Sequence, residues 1–285
     1  MIPMMNIIAW SHRAPWPEMR QVEQDLIISR AIVAIFSDQH LRKQLRFRGG
    51  TALNKLHFPQ PFRYSEDIDL VRTESGPIGP VLDSLRDVLE PWLGRANFDQ
   101  SPIAPKLRFK ATAEDAASTA PIRLKLEINT AETKAYDPPR SVPFRIENPW
   151  FTGSAEVMTF TTEEMLATKL RALLQREKGR DLFDLAHALD VFKDLNLARL
   201  LECFNLYLER TNVKIPRAEQ RMLAKLRRPR FLDDMRPLLP AAALHHLGDE
   251  STRQAFLNVF KQLVINIPGE PWAKTEEILK GHGML

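Results

Sequence analysis

The chain has 285 residues, 44% hydrophobic and 27% charged, with a formal net charge of +4 and a sequence pI near 9.2. Such a composition is that of an ordinary soluble globular protein with room for one large domain or two modest ones, and its mild basicity suits a polyanionic partner without requiring one. Cys203 is the only cysteine, which excludes an internal disulfide and fits a reducing compartment. No stretch approaches the roughly 18 apolar residues of a membrane span, and residues 1–10 lack the basic start and long apolar core of a secretory signal.

In chain order, Glu18 to Arg42 reads as a helix, because Val22, Leu26, Ile28, Ile32, Ile35 and Phe36 recur at helical spacing. Leu45 to Arg48 reads as a short strand broken by Gly49-Gly50, and Thr51 to Leu56 as a short helix ahead of a turn at Pro59 and Pro61. Asp67 to Arg72 has the look of a strand with a buried face, and Pro80 to Leu93 of an amphipathic helix. Lys106 to Lys110 and Ile122 to Asn129 alternate as strands do, joined by the small, polar stretch Ala111 to Ala120. A further extended stretch runs from Val142 to Phe160, interrupted at Pro149 and Gly153. Thr161 and Glu164 then have the spacing of a capping box opening a helix to about Glu177, with Gly179 ending it and a new helix over Asp181 to Phe192. The remainder reads as helical, so an α/β first half precedes a helical second half.

Three clusters could carry chemistry. The first is Gly49-Gly50-Thr51 followed by Arg63-Tyr64-Ser65-Glu66-Asp67-Ile68-Asp69-Leu70. Paired glycines let a backbone approach a phosphate, and the helix start behind them offers free N–H groups. On a strand Asp67 and Asp69 share one side, where two carboxylates repel unless a cation such as Mg²⁺ lies between them. Either piece alone reads as a turn or a solvated edge; their order and spacing together point to a site. The second cluster is the polar face Arg123, Lys125, Glu127 and Asn129 of the alternating strand, where Glu127 would add a third carboxylate, as metal ligand or as proton acceptor. The third is Lys169, Asp181 and Asp184: Lys169 shares a helix side with Ala172 and Arg176, away from the apolar stripe, and the two aspartates are three apart. Spacing does not choose between Asp181 and Asp184. In addition, Arg210 to Arg230 holds eight cations against one acid, Glu219, about +7, which leaves the rest of the chain at about −3. Such a concentration suits a nucleic-acid footprint, a partner-docking surface or a solvated helix face.

Taken together, the clusters resemble the AbiEii/AbiGii nucleotidyltransferase toxins of bacterial type IV toxin–antitoxin and abortive-infection (phage-defence) systems. The matching runs are Phe47 to Leu53, Arg63 to Leu70, Lys125 to Asn129, Glu164 to Leu173 and Arg180 to Leu185, within roughly residues 45 to 190. The wider polymerase-β-like nucleotidyltransferases open with Gly-Ser; the Gly-Gly-Thr here is a form these toxins also use. The resemblance implies an α+β fold: a polymerase-β-like mixed sheet with flanking helices, then a helical C-terminal part. It implies a nucleotidyltransferase domain over 1–160 and a helical domain over 161–285 completing the active-site cleft. By the same resemblance Gly49, Gly50 and Thr51, with Arg63, Ser65 and Lys169, hold the nucleoside triphosphate. Asp67, Asp69 and Glu127 bind Mg²⁺, and Asp184 or Asp181 supports Lys169. The implied activity is a cytoplasmic, Mg²⁺-dependent transfer of a nucleoside monophosphate from an NTP to RNA, the 3′ end of tRNA. The implied partner is a DNA-binding antitoxin encoded nearby, with no membrane involved. The competing readings are a nucleotidyltransferase acting on a protein or an antibiotic, and a non-catalytic nucleotide- or RNA-binding protein.

Overall fold

The structure is a computed structural model and describes residues 2–114, 120–209, 215–225, 231, 235–240, 243 and 248–283. It divides into two compact units, Met1–Thr161 and Thr162–Leu285. Among the described residues no helix is long and apolar enough to cross a membrane.

The first unit is built on one mixed sheet of seven strands in the order β3-β4-β5-β2-β1-β7-β6. In chain order its elements are α1 (Met4–Trp10), α2 (Met19–Ser37), α3 (Gln39–Gln44), β1 (Leu45–Arg48) and α4 (Gly49–Ala52), which passes into a π-helical turn over Leu53–His57. Then come β2 (Asp67–Arg72), α5 (Gly79–Leu93), β3 (Asn97–Asp99), β4 (Lys106–Ala111), β5 (Ile122–Asn129), β6 (Arg140–Asn148) and β7 (Phe151–Thr159). At the centre β2 runs antiparallel to β1 and parallel to β5, which puts Asp67 opposite Lys125 and Asp69 opposite Glu127. The apolar faces of these strands (Ile68 and Leu70; Ile122, Leu124, Leu126 and Ile128) are buried, as period-two alternation requires of a half-covered strand. Helix α2 packs against β7, β5 and α5 and is buried nearly all round, Val22, Leu26, Ile28, Ile32 and Ile35 having no exposure.

Several boundaries depart from the sequence expectation for local reasons. The helix expected to run to Arg42 is two helices, because Asp38 adopts an extended backbone and its carboxylate accepts the Leu41 N–H at 2.8 Å, capping α3. Gly49 and Gly50 begin the helical turn rather than only preceding it. Gly153 lies inside β7 without breaking it: a Cβ there would stand 2.9 Å from the Phe151 ring and 3.2 Å from Val33 of α2, so its glycine serves close helix–sheet approach. Helix α1 and strand β3 had no counterpart in the sequence reading.

The second unit is helical: α6 (Thr162–Gln175), α7 (Gly179–Val191), α8 (Leu197–Glu209), α9 (Ile215–Lys225), α10 (Asp249–Gln262) and α11 (Thr275–Gly281). Helix α6 packs on α7 and α8, and α7 on α10, around Leu166, Leu170, Leu173, Phe204 and Phe260. Gly179 opens α7 instead of ending α6, and its φ is not in the left-handed region a C-cap would use. The Thr161 hydroxyl bonds Asp137 at 2.8 Å, and Glu164, fully buried, accepts the Tyr207 hydroxyl at 2.8 Å. Much of the basic segment, residues 210–214 and 226–230, lies outside the described residues. Within its described part Lys225 is buried, donates to the Arg176 carbonyl at 2.7 Å and stands 5.2 Å from the Phe231 ring centre, so it is no part of an exposed charged face.

Candidate active site

The site begins where β1 ends. Arg48 pairs with Asp69 across β1 and β2, and the chain then turns at Gly49 with φ +86°. A Cβ at Gly49 would fall on the Asp69 carboxylate, and one at Gly50 on the Arg63 guanidinium and 3.3 Å from the Ser65 hydroxyl. The glycine pair is therefore demanded by the chain's own side chains, before any phosphate is considered. Thr51 is buried, and its hydroxyl bonds the Ser65 hydroxyl at 2.8 Å and the Asp67 carbonyl. One helical turn on, Asn54 donates to the Gly50 carbonyl at 2.9 Å and accepts the Arg63 N–H at 3.1 Å. Arg63 is itself buried and donates to the Tyr64 carbonyl at 3.0 Å. Thr51, Asn54, Arg63 and Ser65 thus stitch the glycine turn to the loop that delivers β2. Asn54 is not marked by any of the sequence clusters, and only its i, i+4 spacing from Gly50 hints at this bond.

Beside this turn lies a cavity of about 400 Å³ whose lining includes Thr51, Asn54, Arg63, Ser65, Trp16 and Asp25. Asp25, also unforeseen, is buried and accepts from Trp10 at 2.8 Å, Trp16 at 3.1 Å and Lys55 at 2.9 Å, a fully engaged carboxylate.

On the polar face of β2, Asp67 and Asp69 stand on one side with Glu127 opposite Asp69. Burial raises the Asp69 carboxyl above its ordinary 3.8, the charges of Asp67 and Glu127 add to that, and Arg48 and Lys125 oppose it. The Lys125 ammonium is 2.8 Å from Asp67 Oδ2 and 3.6 Å from Glu127 Oε2, and Lys106 Nζ is 3.6 Å from the same Glu127 oxygen. As they stand, no three His, Cys, Asp or Glu side chains among the described residues form a metal-holding group. The donor set nevertheless suits a hard divalent cation: three carboxylates share a face, and Asp69 bears the repulsion that such a cation would offset.

In the helical unit, Lys169 is buried with its Nζ 3.1 Å from Asp181 Oδ1 and 3.0 Å from Asp184 Oδ2. Both Asp181 and Asp184 are therefore ion-paired with Lys169. Arg176 adds a bidentate pair to Asp181, at 2.6 and 2.8 Å. Burial alone would raise the Asp181 carboxyl, but Lys169 and Arg176 together hold it below its ordinary 3.8. Its contribution to stability is therefore in place above the ordinary value and is lost as pH falls through the lower folded-state value. Asp181→Ala removes the bidentate partner of Arg176 and one of the two carboxylates on Lys169. Urea denaturation at neutral pH should show a loss of about 3 kcal/mol, shrinking as the pH is taken below 3.8; an unchanged midpoint would mean the network is energetically idle.

A family model described as "Nucleotidyl transferase AbiEii toxin, Type IV TA system" matches residues 30–262, most of the chain. Among solved structures, MenT4, a nucleotidyltransferase toxin from Mycobacterium tuberculosis H37Rv, aligns over 98% of this chain and 93% of its own at 18% identity, with a TM-score of 0.64. JHP933 from Helicobacter pylori aligns over 94% of this chain and 97% of its own at 17% identity, with a TM-score of 0.52. At such identities the structural likeness speaks for the fold alone. No curated protein matches the sequence.

Proposed function

The chain belongs to the AbiEii nucleotidyl transferase toxin family of type IV toxin–antitoxin systems, and from that premise we propose that it transfers a nucleoside monophosphate from an NTP to the 3′ end of an RNA, tRNA, in a Mg²⁺-dependent reaction. The observation that carries the reading is the carboxylate pair Asp67 and Asp69 on one face of β2, with Asp69 pressed against the Gly49 turn. In this reading an acceptor hydroxyl attacks the α-phosphorus and pyrophosphate departs. A divalent cation held by Asp67 and Asp69, with Glu127 as third carboxylate, would supply charge stabilisation at the attacking and leaving oxygens. The backbone N–H groups at Gly49 and Gly50 receive phosphate oxygens at the start of α4. Thr51, Arg63 and Ser65 act by holding that turn in shape, since their side chains bond within the chain. Within the helical unit, Asp181 and Asp184 hold the Lys169 ammonium in place. The setting is the cytoplasm, where nucleotides and tRNA are present, and the partner is a DNA-binding antitoxin.

The acceptor is tested by incubating the protein with α-labelled NTPs, Mg²⁺ and, separately, total RNA, total protein and an aminoglycoside. Label should enter RNA of tRNA size only. Periodate oxidation of the RNA beforehand, which destroys the terminal 2′,3′-diol, should abolish incorporation. Label on protein or aminoglycoside, with none on RNA, would replace the acceptor while leaving the transferase reading intact.

A further inference from the structure

We infer that Lys125 is a built-in counter-ion of the carboxylate face, which a divalent cation must displace in order to bind. The inference rests on the proposed reading of Asp67 and Asp69 as the metal pair. Parallel pairing of β2 with β5 puts Lys125 directly opposite Asp67, on the same face as Asp69 and Glu127. Its ammonium is within 2.8 Å of Asp67 Oδ2 and 3.6 Å of Glu127 Oε2, so it already touches two of the three carboxylates that a metal would use. An ammonium and a divalent cation cannot both sit on the Asp67 oxygen at contact distance without strong repulsion.

Exposure indicates which cation can move. The Lys125, Asp67 and Glu127 side chains are 27%, 33% and 33% exposed, so the ammonium can swing into water on its flexible four-carbon stem. The contrast within the same chain is Lys169, 7% exposed and locked between two fully buried aspartates. Lys125 thus does two things. Without metal it offsets the repulsion among three carboxylates, and it sets a threshold that the entering cation must overcome.

The test is calorimetric titration of the full chain with Mn²⁺ alone, without nucleotide. Lys125→Met should bind Mn²⁺ about tenfold more tightly than wild type, equivalent to about 1.4 kcal/mol. Its metal-free melting temperature should be lower than wild type and its Mn²⁺-induced rise larger. Asp67→Asn should lose binding in both backgrounds. Lys110→Met, the same charge change elsewhere on the sheet, should leave the affinity near wild type. Lys125→Gln replaces the methionine variant should the latter fail to fold by circular dichroism. If wild type binds Mn²⁺, Asp67→Asn does not, and Lys125→Met binds no tighter than wild type, the metal site stands and the counter-ion role is overturned. Equal tightening in Lys110→Met also overturns it, since bulk charge would then suffice. If neither wild type nor Lys125→Met binds Mn²⁺, the metal reading falls and this inference with it.

Discussion

Asp69→Asn and Asp67→Asn should each lower nucleotidyl transfer by about 10³-fold or more, the scale expected when a group that stabilises transition-state charge is removed. The folded protein should survive both changes. In the metal-free state Asp69 is raised by burial and by the charges of Asp67 and Glu127, so its ionised form works against folding. For a group raised in this way, stability is greatest below its ordinary value of 3.8 and is lost as pH rises through the higher folded-state value. Asp69→Asn removes that loss. Its metal-free melting temperature at neutral pH should match or exceed that of wild type, with a flatter dependence on pH. Loss of activity together with collapse of the melting transition would make Asp69 a structural residue; retained activity would remove it from the chemistry.

Gly49→Ala should damage both stability and transfer. The backbone at Gly49 has φ +86°, where a Cβ costs about 1–2 kcal/mol. The new methyl would also fall on the Asp69 carboxylate, an overpacking that typically costs a further 1–3 kcal/mol. Unfolding free energy should therefore drop by about 2–5 kcal/mol, and transfer should fall as it does in Asp69→Asn, because Asp69 must move. The stability loss is the discriminating part. A glycine needed only so that phosphate can approach would leave the nucleotide-free protein as stable as wild type, and such a result would refute the packing explanation.

The central strands were legible because their signal is local: Ile68 and Leu70 alternate with Asp67 and Asp69, and Leu124 and Leu126 with Lys125 and Glu127. The same periodicity put the three carboxylates on polar faces. It could not show that Asp67 meets Lys125 rather than a metal-ready Glu127, because that depends on the register of strands far apart in sequence. Nor could it show Asp25 collecting donors from two indoles and Lys55, since those side chains meet only through packing of α1 and the π turn. Glycine was the least readable residue type. The sequence marks Gly49 and Gly50 as a phosphate turn, but it cannot show the Asp69 and Arg63 side chains that occupy the missing Cβ positions. Gly153 and Gly179 were read as breaks, whereas one admits Val33 of α2 and the other opens a helix. For Lys169, helical spacing separated it from the apolar stripe, but only the packing of α6 on α7 brings Asp181 and Asp184 to it together.

The most direct measurement is the amount of labelled nucleoside monophosphate that the wild-type protein transfers from each α-labelled NTP to purified tRNA, with Mg²⁺ and after chelation. A Mg²⁺-dependent transferase centred on Asp67 and Asp69 should label the RNA from at least one NTP, lose that signal on chelation and regain it when Mg²⁺ is restored. Label that persists unchanged under chelation, or none from any NTP with Mg²⁺ present, would contradict it.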